Sequence, residues 1–540
     1  MLATSTAQLS TPITKSKIFK LLFAERDRIK FCLLFTFLFA LCAHAFCWLN
    51  TLYGHDSLLI IQNDWEHQIS IGRPFQEAYV AFRGNIVAPW LIGILGTLYL
   101  SLTNIIIVKL LDIRSGAFIA LTCGSLATCA TITLCNATYI LDYDIYMLSF
   151  FLGTLALYIA VKPQKVAIFV AGLVLCLSIG LYPAFLQSFV ALALILGVRS
   201  FLRDSTKQGV HLALRVIISC LIGVILYLVA LIAFRYFNQV DSSSAYNSIS
   251  TAFSFGESGM IQAFIHTYTD PIRYLLFPET HAVHIVGAIN ALLILFIIFA
   301  IFCVAKTRRS SKLQIACALG CCLLLPLGEG CVNFGAYGNV HSLMIMSYFL
   351  IYPFAFSMAE ECFQIIQSRQ KTQIAVAGKT AIALLVFIVV ISNFIYANQV
   401  YTKKDLEYQA TFSTMTRLEA KLEALPGYVP GSTPVVFEGA FVYNSFFNSI
   451  REGFPPDKNQ RPFENGQMTD YAVGLGPQIT IHSDEQVQQY YKYILGCPIR
   501  IVNAQDLDAL SIDYAFEDMP VFPSDGSVIM SNGTAFVKIS

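Results

Sequence analysis

Apolar runs of about 20 residues recur along the chain, separated by short polar breaks, down to about Tyr396. A run of that length crosses the hydrocarbon core of a bilayer as a helix. The runs fall near 31–50, 86–108, 117–135, 139–161, 165–181, 183–199, 212–234, 284–305, 313–331, 341–358 and 379–397, and they predict about eleven transmembrane helices. The fifth and sixth are parted only by Gly180-Leu181-Tyr182-Pro183 and could form one kinked element, because Pro removes a backbone donor.

The polar breaks give the orientation. Lys109 and Arg114, Lys162 and Lys165, Arg199 to Arg215, Lys306 to Lys312, and Arg369 to Lys379 fall in alternate connections. The turns at Asn136 and at 333–339 contain no Lys or Arg. Basic loops stay in the cytoplasm, so the pattern predicts the N-terminus inside and the C-terminus outside. Residues 1–30, with Lys15, Lys17, Lys20, Arg26, Arg28 and Lys30, read as a basic amphipathic helix on the cytoplasmic leaflet or as a flank that only fixes orientation. Long outer loops follow at 51–85 and 235–283. The second contains Met260 to His266, too short to span and expected to be interfacial or re-entrant.

After the membrane portion (31–397), residues 398–540 form an expected extracytoplasmic region. A helical pattern continues from Lys403 through Leu425 and stops at Pro426-Gly427. Strand-like 434–437, a polar helix around Glu485 to Tyr493, and strand-like 499–502 and 535–539 then predict a small α/β domain.

Composition narrows the class. Of 540 residues, 56% are hydrophobic and 13% charged, about half the charged share of a soluble domain. The net charge of +1 argues against a nucleic-acid partner, which calls for a basic face. Most of the 15 cysteines lie in apolar runs, where Cys behaves as a small hydrophobe. The C-terminal region holds Cys497, with no cysteine there to pair with it, and no spacing resembles a zinc site. No metal ligand set is expected, no cofactor is assigned and a divalent metal is left open. Walker, Rossmann, catalytic-triad and metalloprotease patterns are absent.

Candidate chemistry gathers in the first outer loop. Asp56 follows the first run by a few residues, at a depth where a carboxylate is costly unless paired or useful. Arg73 and Arg83 share its loop and could clamp phosphate with planar bidentate geometry. The plainer alternative is that Asp56 and an Arg pair and fix the loop. Arg273, in the second outer loop, is a further phosphate candidate. His55, His67, Glu329 and His341 are candidate substrate contacts; the alternatives are loop scaffolding for His55 and His67, a solvated loop acid for Glu329 and a structural helix-start residue for His341. Asp142-Tyr143-Asp144 spells a nucleotide-sugar metal motif, but residues two apart on a helix point to nearly opposite sides. Asp144 is expected to face the inter-helical cavity as a further catalytic candidate, with Asp142 a substrate contact or else capping the helix or meeting water.

Taken in order, Tyr53-Gly54-His55-Asp56, Gly72-Arg73, Arg83-Gly84-Asn85 and Pro89-Trp90-Leu91 resemble the GtrII-type glucosyltransferases, membrane enzymes that modify cell-surface polysaccharides. So do Asp142-Tyr143-Asp144-Ile145-Tyr146, Leu177-Ser178-Ile179-Gly180-Leu181-Tyr182 and His341-Ser342-Leu343-Met344. The stretch Ala397-Asn398-Gln399 with Leu406-Glu407-Tyr408 fits the end of the last span. The resemblance implies a GT-C-like architecture and transfer of a hexose, with glucose foremost, from polyprenyl phosphate, typically undecaprenyl phosphate. The acceptor would be a cell-surface glycan on the outer face of the cell membrane, with a flippase and a donor synthase as expected partners. It makes Asp56 the catalytic carboxylate. Many members have two adjacent acids where this chain has His55-Asp56, so a second acid would come from Asp64, Asp142 or Asp144. A transporter or flippase of lipid-linked sugars, or a non-catalytic envelope-assembly component, is the alternative.

Overall fold

The computed structural model describes residues 15–50, 52, 62–240, 259–278, 285–336, 340, 342–439, 484–503 and 516–540, with side chains from residue 26 onward except that of Asp484. His55, Asp56, His341 and the Tyr246 to Ile249 stretch lie outside these residues, as do the side chains of the basic N-terminal segment.

Helix formation follows the apolar runs. Helix α1 (Lys15–Asn50) leads to the short α2 (Trp65–Ser70) and α3 (Gln76–Arg83), then to α4 (Pro89–Leu110). The next are α5 (Gly116–Ala127), α6 (Ala130–Ala137), α7 (Tyr143–Ala160), α8 (Val166–Leu181), α9 (Leu186–Arg203) and α10 (Thr206–Asn238). The remainder of the bundle is α11 (Gly259–Leu276), α12 (Val286–Arg308), α13 (Lys312–Glu329), α14 (Ile351–Ser368) and α15 (Thr372–Glu423). Among the described residues, 9 helices are long and apolar enough to cross a membrane, or up to 10 if the bent α5–α6 pair is one span. The chain is a polytopic helical membrane protein. Helix falls within each of the eleven expected runs, but in 341–358 the α-helix starts only at Ile351, after two 3₁₀ turns, and α8 has 16 residues, about 24 Å at 1.5 Å per residue, which is short of a hydrocarbon core about 30 Å thick.

Three runs differ from simple rods. The expected span 117–135 is broken by 43° between α5 and α6, where Cys129 is extended. Asn136, read from the sequence as an outer turn, is instead buried in α6, accepting from Trp48 Nε1 at 2.5 Å and donating to Ile132 O at 2.8 Å. Tyr182 is also extended, at φ −155°. The residue before a proline avoids the helical region, so α8 and α9 are separate helices. By contrast, the last expected span and the polar helix after it are one element. Helix α15 runs 52 residues without a break, about 78 Å, and so carries the chain from the apolar bundle to the C-terminal sheet.

Two large cores result. One joins residues from Cys32 to Tyr401, and the other joins Met415, Leu418 and Leu422 of α15 to the sheet. The sheet has strand order β2-β1-β4-β3, from β1 (Pro434–Glu438), β2 (Arg500–Ile501), β3 (Val528–Ser531) and β4 (Thr534–Lys538). Strand β1 is parallel to β2 and β4, and β3 pairs antiparallel with β4. Helix α16 (Asp484–Tyr490) lies between β1 and β2 in sequence. Strand β3 is additional to the strands expected, and its hairpin turns on Asn532-Gly533, both at positive φ, the standard signal for a two-residue turn.

Two ionic clusters stand at opposite ends of α4, whose 22 residues measure about 33 Å. Beyond its last turn, Asp112 meets Arg114 at 2.5 Å and Arg203 at 3.3 Å. Glu361 takes Arg199 at 3.3 Å and Arg203 at 2.8 Å, and Glu360 takes Lys379 at 2.7 Å. The cluster before its first turn contains Arg73 and Arg83 of the 62–85 segment, with Asp142 and Asp144.

Candidate active site

Residues 62–85 wrap the start of α7. Asp64 caps α2 by accepting from the His67 amide at 3.1 Å, and α3 follows after the turn at 71–75. Gly84, at φ 106°, closes α3 in the left-handed region and Asn85 follows at φ 59°. The Gln62 amide then donates to Asn85 O at 2.9 Å, which closes the 62–85 segment on itself. Helix α8 sets the other side: the Phe75 amide donates to Gly180 O at 3.2 Å, and a Cβ on Gly180 would run into the Phe75 ring.

This frame aims Arg83, the last residue of α3, at the first turn of α7. Its Nη1 donates to Asp144 Oδ1 at 2.6 Å and to Leu141 O at 2.9 Å, and its Nη2 donates to Gln62 Oε1. Tyr79, one helical turn before Arg83, donates to Asp144 Oδ2 at 3.0 Å. Burial, and next the Asp144 charge, push the Tyr79 phenol above its ordinary range, so it remains a donor. The α7 N-terminus adds its own favourable field for a carboxylate.

Asp142 sits beside this pair in a 3₁₀ turn (Ile140–Asp142). Gln62 Nε2 donates to its Oδ1 at 3.1 Å and Tyr146 OH to its Oδ2 at 3.3 Å. Arg73 Nη1 approaches the same Oδ2 at 3.9 Å, with its guanidinium 4.8 Å from the Tyr182 ring centroid and 6.0 Å from that of Tyr146. Arg73 reaches solvent with 19% of its side chain, whereas Arg83 is sealed. Glu77, buried on α3, completes the group. Burial raises its carboxyl, the Asp64 amide opposes that, the Asp142 and Asp64 charges add to it, and Arg83 opposes it. Two guanidinium groups thus face several carboxylates, so the site presents both cation and acid at one helix end.

Of the sequence-derived candidates, Arg73, Arg83, Asp142 and Asp144 come together. The expectation that Asp142 would cap the helix or meet water is corrected: it stands at the N-cap position of α7 with no side-chain cap bond and is buried like Asp144, because the 3₁₀ turn ahead of α7 replaces the regular helical spacing. His67 is exposed on α2 and contributes its backbone. Arg273 is exposed on α11. Glu329 lies elsewhere, buried at the end of α13 with Oε1 lacking a hydrogen-bond partner, near Tyr348, whose hydroxyl accepts from Asn333 Nδ2 at 3.0 Å. Helix α11 packs against α12 and α13 and exposes Met260, Ile261 and Phe264. Sequence reasoning missed Gln62, Glu77, Tyr79, Tyr146 and Tyr182. The spacings Tyr79 to Arg83 and Asp142 to Tyr146, four residues each, were available signals for two of them.

In comparison with known families, residues 45–358 fit the family model described as Glucosyl transferase GtrII. The matched stretch contains every residue of the Arg–Asp cluster and excludes α15 and the sheet. No curated protein matches the chain.

Proposed function

The chain belongs to the GtrII glucosyltransferase family, and from that premise we propose that it transfers a hexose, with glucose foremost, from a polyprenyl phosphate to a cell-surface glycan. In this reading the fold is GT-C-like, the 62–85 loop lies on the outer face of the cell membrane, and the C-terminal sheet is extracytoplasmic.

The observation that carries the reading is the Arg73–Asp142 pair, a partly open cation and a buried acid at the mouth of the bundle. A departing polyprenyl phosphate requires donors matched to its oxygens, which a planar guanidinium supplies. The stack on Tyr182 holds that guanidinium in place. Arg83 and Asp144 act one layer deeper, fixing α3 on α7 so that Arg73 and Asp142 keep their separation. The acceptor hydroxyl needs a base. The family resemblance gives that role to Asp56 and leaves a second acid to Asp64, Asp142 or Asp144; of these the partly open Arg73–Asp142 pair favours Asp142.

Purified protein incubated with radiolabelled polyprenyl-phosphate hexoses and candidate surface glycans tests the proposal. Transfer from one donor by the wild type, lost in Asp56→Asn in folded protein, is the expected result. Folded wild type that leaves every lipid donor intact overturns it.

A further inference from the structure

The end of α15 holds a second group of chemistry-bearing residues, far along the chain from the Arg–Asp cluster and outside the family match. Glu419 and Glu423 are four residues apart and share a face of the helix. Opposite them, the turn after α16 ends at Gly496, at φ 73°, and the Cys497 amide donates to Tyr491 O at 3.0 Å. That hydrogen bond fixes Cys497 beside the helix. One carboxylate oxygen from each glutamate and the Cys497 sulfur all lie within 4.8 Å of one another.

Glu419 makes this more than an acidic cluster. It is only 6% exposed, yet neither carboxylate oxygen has a hydrogen-bond partner. Among the described residues no cation lies within ion-pair distance of it, and Glu423 adds a like charge. The Tyr428 hydroxyl, electrostatically coupled to all three, is also buried without a partner. A buried carboxylate calls for a countercharge, and here a second carboxylate and a thiol lie within 4.8 Å of it.

We propose that Glu419, Glu423 and Cys497 form a binding site for a divalent transition-metal ion of the zinc type. Mixed oxygen and sulfur donors suit zinc, whereas calcium and magnesium take oxygen ligands alone. Bonds of about 2.0–2.3 Å place tetrahedral ligand atoms roughly 3.5 Å apart, so side-chain adjustment closes the group around an ion. Binding displaces the thiol proton to solvent and forms a metal–thiolate bond. Three protein ligands leave a fourth position open, for water or for a group of the substrate. The ion would clip the end of the long helix to the segment that enters β2.

The test uses full-length protein in detergent, stripped with chelator and titrated with Co²⁺. A near-ultraviolet thiolate-to-cobalt absorption that saturates at one equivalent, and is displaced by Zn²⁺, is expected. It disappears in Cys497→Ser, and Zn²⁺ binding weakens roughly 100-fold or more in Glu419→Gln, beyond the about 10–100-fold loss caused by outer-shell changes. Glu423 is exposed, so Glu423→Gln keeps the fold and must weaken binding as well. Wild type without the absorption overturns the proposal, as does an absorption that survives Cys497→Ser or zinc affinity unchanged in Glu423→Gln.

Discussion

Arg83 Nη1 lies 2.6 Å from Asp144 Oδ1, and the two side chains are 1% and 0% exposed. A pair sealed this completely is held by geometry: the guanidinium also serves Leu141 O and Gln62, and the carboxylate also accepts from Tyr79. Losing one partner strands the other charge in a dry site, which costs about 3–5 kcal/mol. Asp144→Ala is therefore expected to unfold at markedly lower temperature in detergent than the wild type. The double change Arg83→Met with Asp144→Leu recovers much of that loss, because two apolar groups of similar size leave no orphaned charge. Thermal unfolding of the single and double variants checks both statements. A double variant no more stable than Asp144→Ala would refute the account.

Arg73 stands in a different environment. It is partly open, stacked on Tyr182 and 3.9 Å from Asp142, so its substitution is expected to affect turnover more than stability. Arg73→Lys keeps the charge but loses the planar fork, and transfer from polyprenyl-phosphate glucose should fall on the order of tenfold to a hundredfold with unfolding temperature nearly unchanged. Initial rates and melting curves on the same preparations separate the two effects. Unaltered turnover would make Arg73 a scaffold residue.

Much of this architecture was legible because a bilayer makes the same demand of every span. Runs of about 20 apolar residues mark the long helices of the bundle, and the strands at 434–437, 499–502 and 535–539 stand out by residue type, whereas α2 and α3 lie in a stretch read as a loop. The misses have local causes. Asp142 was judged by regular helical spacing, but it sits in the 3₁₀ turn ahead of α7. Asn136 looked like a turn residue, yet the α5–α6 break places it inside the bundle. Glu419 and Cys497 belong to separate motifs in sequence, and only the packing of α15 on the sheet brings them together. Gln62 lies in a polar loop with no periodicity to reveal its partners.

The cluster at the other end of α4 makes a pH-dependent prediction. Burial alone would raise the Asp112 carboxyl, but Arg114, Arg203 and Arg199 together hold it below its ordinary 3.8. The folded state therefore binds fewer protons than the unfolded state as pH falls below that value. The stabilising contribution is full above about pH 4 and is lost as pH drops through the lowered folded value. The difference in unfolding temperature between wild type and Asp112→Asn should hold steady from pH 7 to about 5 and shrink toward about pH 2–3. Melting curves in detergent across that range provide the measurement. A difference that widens on acidification contradicts the assignment of these arginines as the stabilising partners.

Gly180 connects the bundle to the site through backbone. Its carbonyl accepts from the Phe75 amide at 3.2 Å, and its missing side chain leaves room for the Phe75 ring. Phe75 immediately precedes α3, whose last residue is Arg83, so any displacement of that ring shifts the helix that carries the Arg83–Asp144 pair. The Phe75 ring is hemmed in by Phe234 at 5.7 Å between centroids, which limits how far it can yield. Gly180→Ala is accordingly expected to cost about 1–3 kcal/mol of stability, as overpacking does, and to lower transfer by more than that loss of folded protein explains. A compensating Phe75→Leu change, which makes space for the added methyl, should restore part of both. Measuring rate per folded molecule in the single and double variants checks this: restoration of stability without activity would show that α8 supports the bundle but does not set the position of the site.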